Sequence, residues 1–136
     1  MKVKLSEVME AVEGAGDDMT YYYHTDTQSI TYVMAYGDDD ERLAEIEEHW
    51  DHYIQLPSKY DVNDYHIMEE FIWNLDDEQQ QNQLENAISG RGAFRYFRDL
   101  VDRFELTQKW YDFREAAYEK IAREWCHDEK ITIAAE

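Results

Sequence analysis

The 136-residue chain has one cysteine, one proline, five glycines and only 13 basic residues against 32 acidic ones. Cys126 alone cannot form an intrachain disulfide, and a single thiol suits a reducing compartment, so a cytoplasmic protein is expected. The longest apolar run, Tyr32 to Tyr36, is far below the ~20 residues that cross a bilayer. Glu7 and Glu10 interrupt the first segment, which therefore resembles neither a signal peptide nor an anchor, and no membrane partner is expected. A net charge of −19 disfavours nucleic acid or anionic lipid held by a whole-protein field. It favours basic protein partners, although high charge also serves plain solubility.

Aromatic residues are plentiful, with 11 Tyr, 5 Phe and 4 Trp, enough apolar surface to offset the entropy of ordering the chain. The length is that of one domain, and residues 1–136 are read as such. A helix and hairpin occupy about 1–57, a helical part about 58–127, and a tail 128–136.

Leu5, Val8, Met9 and Val12 have helical spacing, closed by Gly14 and Gly16. Met19–Thr25 and Ser29–Tyr36 are aromatic and β-branched and predict a hairpin, whose turn, Thr25-Asp26-Thr27-Gln28, has no glycine. Asp38, Asp39 and Asp40 are candidate caps for a helix carrying Leu43, Ile46 and Trp50. Tyr53–Leu56 could add a third strand before Pro57. Beyond Asp61 the pattern is helical. Met68, Phe71, Ile72 and Leu75 share a face, and Asp76 with Gln79 has capping-box spacing before Leu84 and Ile88. Two more stripes follow, Phe94, Phe97, Val101 and Phe104, then Trp110, Phe113, Ala117 and Ile121, with Trp125 slightly displaced. The expected fold class is α+β, a small antiparallel hairpin or three-stranded sheet packed with a predominantly helical C-terminal part.

Charge is uneven: residues 1–80 carry a net −17 and residues 81–136 a net −2. In the second part Arg91, Arg95 and Arg98, spaced at four and three, fall on one helical face beside the aromatic stripe. Forked guanidinium groups in that pattern can hold a phosphate or a partner's carboxylates. The competing reading is pairing with the chain's own abundant acids.

Other constellations carry less. His49 and His52, three apart among Glu45, Glu48 and Asp51, could contribute to a metal site, but the spacing is not that of a catalytic zinc helix. Glu124 and His127 have the spacing of one half of a di-iron site, without a second half. His66, Glu69 and Glu70 could move protons, yet no nucleophile or oxyanion site accompanies them, and Gly90-Arg91-Gly92 reads as a helix break rather than a phosphate loop. Cys126 and His127 are adjacent, so on a helix they do not face each other. No cofactor is implied.

Arg91-Gly92-Ala93-Phe94-Arg95, followed by Phe97, Leu106, Trp110, Phe113-Arg114 and Ile121-Ala122-Arg123-Glu124-Trp125, resembles a bacterial family, uncharacterised protein family one-five-eight. Ile54-Gln55-Leu56-Pro57 and Ile67-Met68-Glu69-Glu70-Phe71 are similar to its central segment. The resemblance implies a small cytoplasmic protein in which Arg91, Arg95 and Arg114 matter together, as packing anchors or as a binding surface; it carries no activity, cofactor or catalytic residue with it. The expected function is a non-catalytic protein-binding or regulatory module. The alternatives are a small metal-binding protein or hydrolase using His49 and His52, and a nucleic-acid-associated protein using Arg91, Arg95 and Arg98.

Overall fold

The computed structural model describes residues 1–35 and 39–136. Their contacts divide the chain into two compact units, residues 1–62 with 118–136, and residues 63–117.

In the first unit, strand β1 (Lys2–Lys4) lies parallel to β5 (Thr132–Ala134), with Val3 opposite Ile133. The stretch 128–136, expected as a tail, thus carries a strand. Helix α1 (Leu5–Gly14) buries Val8, Ala11 and Val12, as its spacing predicts. Its N-cap residue, Lys4, offers no acceptor for the free N–H groups of the first turn. The Glu136 carboxylate fills that role, accepting from the Ser6 backbone N–H at 3.1 Å and from the Ser6 hydroxyl.

Strands β2 (Met19–His24) and β3 (Ser29–Met34) form the hairpin, and the short β4 (Tyr53–Gln55) pairs with the other side of β2, giving the antiparallel order β3-β2-β4. The register sets Met19 opposite Met34 and His24 opposite Ser29. The turn closes without glycine because Gln28 takes a left-handed conformation, φ 55°, while its N–H donates to His24 O at 2.8 Å. Tyr23 on the central strand is fully buried; its hydroxyl donates to Lys2 O at 2.7 Å and its ring meets Trp125 edge to face. Burial raises its pKa, the hydrogen bond to Lys2 opposing.

Helix α2 (Asp40–Glu48) buries only Ile46. Leu43 and Trp50, expected on the same stripe, are exposed, because Trp50 lies past the end of α2 in a 3-10 turn, Trp50–His52. Of the expected strand and cap residues, Tyr36 and Asp38 lie outside the described residues. The unit also holds the short α3 (Lys59–Val62) and the second half of α7 (Thr107–Asp128).

The second unit contains α4 (Asp64–Trp73), α5 (Glu78–Ile88), α6 (Ala93–Arg103) and the first half of α7. Asn63 caps α4 by accepting from His66 N–H. Asp77 caps α5 by accepting from Gln80 N–H at 3.0 Å, one residue beyond the expected Asp76 and Gln79. The interior is aromatic. Phe71 meets Phe97, Trp110 and Phe113 at ring-centroid distances of 6.0, 5.3 and 5.5 Å, and Phe97 meets Trp110 at 4.8 Å, all edge to face, the arrangement that ring quadrupoles favour.

Candidate functional site

The three arginines read as one helical face are not all on a helix. Gly92 is the N-cap of α6, at φ 73° where only glycine sits without strain, so Arg91 lies in the turn before it. Arg95 and Arg98 are on α6. A hollow of about 600 Å³ between α5 and α6 is lined by Arg91, Arg103, Tyr96, Asn86 and Asp99. Another of about 470 Å³, between α6 and the first turns of α7, is lined by Arg98, Arg114, Tyr111, Asp99 and Asp102. The structure therefore pairs Arg98 with Arg114 and Arg91 with Arg103, the last of which the spacing did not single out.

The guanidinium groups of Arg95 and Arg114 each stand 5.2 Å from a tyrosine ring, Tyr96 and Tyr111 respectively. Among the described residues no carboxylate forms an ion pair with Arg91, Arg95, Arg98 or Arg103. Phe94, 57 % exposed, and Tyr96 lie on α6 beside them.

His49 and His52 come together with a histidine not singled out before. The ring of His52 is stacked 6.2 Å from His24 and 6.2 Å, edge on, from His49; its Nδ1 is 2.9 Å from the Asp26 carboxylate. His24 Nδ1 is occupied as an acceptor for the backbone N–H groups of Asp26 and Thr27. Among the described residues no group of three or more His, Cys, Asp or Glu side chains is arranged to hold a metal ion. Nearby, Tyr53 donates to Glu45, and that bond pushes the phenol pKa up to about 12.

The remaining candidates disperse. His66 pairs with Glu70 at 2.7 Å and lies 3.6 Å from Glu69 on an exposed face of α4, with its ring against Trp73. Cys126 is buried, and burial pushes its thiol pKa up, away from the reactive thiolate, while His127 is exposed beside Asp128. Among the described residues no helix is long and apolar enough to cross a membrane.

These elements define an α+β protein with a helical C-terminal part that carries, on α6 and the turn before it, arginines with no ion pair among the described residues. The chain belongs to the Uncharacterised protein family (UPF0158), whose model matches residues 1–136, so the similarity read on motifs from Ile54 to Trp125 extends along the whole chain. No curated protein and no solved structure matches it.

Proposed function

We propose that the protein is a non-catalytic, cytoplasmic binding module whose surface around α6 docks an acidic segment of a partner protein. The observation that supports this is that, among the described residues, no carboxylate forms an ion pair with Arg91, Arg95, Arg98 or Arg103. Such groups meet a partner's carboxylates without first breaking an internal bond, and guanidinium forks suit planar carboxylates. The exposed rings of Phe94, Tyr96 and Tyr111 add the apolar contact area that a charged surface alone lacks. A nucleic acid, with one charge per ~1.7 Å of duplex, would be repelled by the net −19 far more than a peptide bearing a few carboxylates.

Affinity capture from a lysate, wild type beside an Arg91→Ala/Arg95→Ala/Arg98→Ala variant, tests this by mass spectrometry, with circular dichroism confirming the variant's fold. The expected result is a protein with an acidic segment retained by the wild type and lost from the variant. Identical lists, or nucleic acid as the only species lost, sink the reading.

A further inference from the structure

The three-stranded sheet has two edges, and they are closed to different degrees. On β4, the bonds from Leu56 N–H to Tyr21 O and from Thr25 N–H to His52 O fix which groups face β2 and leave those of Gln55 pointing outward. The Gln55 carbonyl is then taken by the indole N–H of the buried Trp125 at 3.0 Å. On β3, Ala35 N–H donates to Asp18 O, so by the alternation of an antiparallel ladder Thr31 and Val33 face β2, while Ile30, Tyr32 and Met34 turn their N–H and C=O groups outward. Only two of those outward groups have partners among the described residues. The Asp39 carboxylate accepts from Met34 N–H at 2.7 Å, and Arg42 donates to Tyr32 O at 2.9 Å.

These partners, the half-buried Asp39 and the exposed Arg42, lie at the start of α2, and neither serves its own helix: Asp39 is the N-cap residue but makes no side-chain cap bond. Arg42 is the only Lys or Arg between Leu5 and Ser58, a stretch with 14 acidic residues. Its guanidinium also sits 5.7 Å from the centre of the Tyr32 ring. It occupies the position that a cation on an incoming strand would take, over a strand, Ser-Ile-Thr-Tyr-Val-Met, that itself bears no charge.

We propose that β3 is a docking edge for an extended, lysine- or arginine-bearing segment of a partner, held half closed by Asp39 and Arg42. Added strands gain affinity from main-chain hydrogen bonds, and the acidic first turn of α2 that follows Asp39, with Asp40 and Glu41, selects for positive charge. Natural edges are commonly guarded by charged side chains, and here the guard leaves Ile30 and Tyr32 N–H without a partner among the described residues. The site shares no residue with the arginine surface, so either reading can fail alone.

The probe is a fluorescent peptide of alternating lysine and valine or threonine, followed by anisotropy, with an N-methylated copy that has the same charge but cannot pair along one edge. The wild type is expected to bind the first and not the second. Asp39→Ala is expected to tighten binding about fivefold by freeing Met34 N–H, whereas attraction by charge alone predicts weakening. Equal binding of both peptides, weaker binding by Asp39→Ala, or no binding by the wild type and an Asp39→Ala/Arg42→Ala variant overturns the proposal. So does conversion of the double variant to a dimer that excludes the peptide, which would make a second copy the occupant.

Discussion

In the unit formed by residues 1–62 and 118–136, polar bonds that tie the unit together join residues far apart in sequence. Trp125 reaches Gln55, Tyr23 reaches Lys2, Glu136 reaches Ser6, and β1 pairs with β5. In residues 63–117 the capping bonds are local, Asn63 to His66 and Asp77 to Gln80, and the interior is a cluster of rings. The first arrangement depends on particular partners, each contributing through one specific hydrogen bond. The second depends on volume, since rings packed edge to face have no polar partner to lose.

The sharpest way to break this comparison is to remove volume from the ring cluster. Phe71→Ala should destabilise the protein by about 3–5 kcal/mol in urea denaturation; a loss below about 1 kcal/mol would show that the cluster is not what holds residues 63–117. Trp125→Phe takes away the indole N–H that the Gln55 carbonyl accepts from, and a loss of about 0.5–1.5 kcal/mol is expected. If that variant is neutral, the first unit is held by packing as well and the contrast disappears. Asp77→Ala should cost about 1 kcal/mol through the lost cap, with early exchange of α5 amides as the accompanying signature.

Two titrations have the smallest expected effects. The phenol of Tyr53 should lose its proton near pH 12 by ultraviolet absorbance, and Glu45→Gln should bring that midpoint down toward the ordinary 10.0. Because the folded pKa is raised, the stabilisation is complete below the ordinary value and is lost as pH climbs through the folded one. Glu136 runs the other way. Its carboxyl is held below its usual value by the two Ser6 bonds, so its contribution is present above the ordinary carboxylate range and lost as pH falls through the lowered value. Ser6→Ala should return it toward normal in an NMR titration.

Much of this fold was legible because periodicity reports faces. The hairpin, α1, and the stripes holding Phe71, Phe97 and Trp110 follow from spacing alone. Trp125 stood off its stripe, and the structure supplies the reason, a hydrogen bond to Gln55. Strands β1 and β5, three residues each, are too short to show alternation and exist through pairing across the chain. Arg91 was placed on a helix because spacing of four ignores where a helix starts, which the left-handed Gly92 decides. Arg103 and His24 joined their clusters through tertiary proximity, for which sequence spacing offers no signal.

The pairing of β1 with β5 also orders events on the ribosome. At about 5–20 residues per second, Val3 leaves well before Ile133 is made, and all of residues 63–117 are synthesised in between. The first unit therefore cannot close until the second has been delivered. A chain that stops before Ile133 would leave Val3 without its strand partner and present an incomplete unit to the cell's proteases.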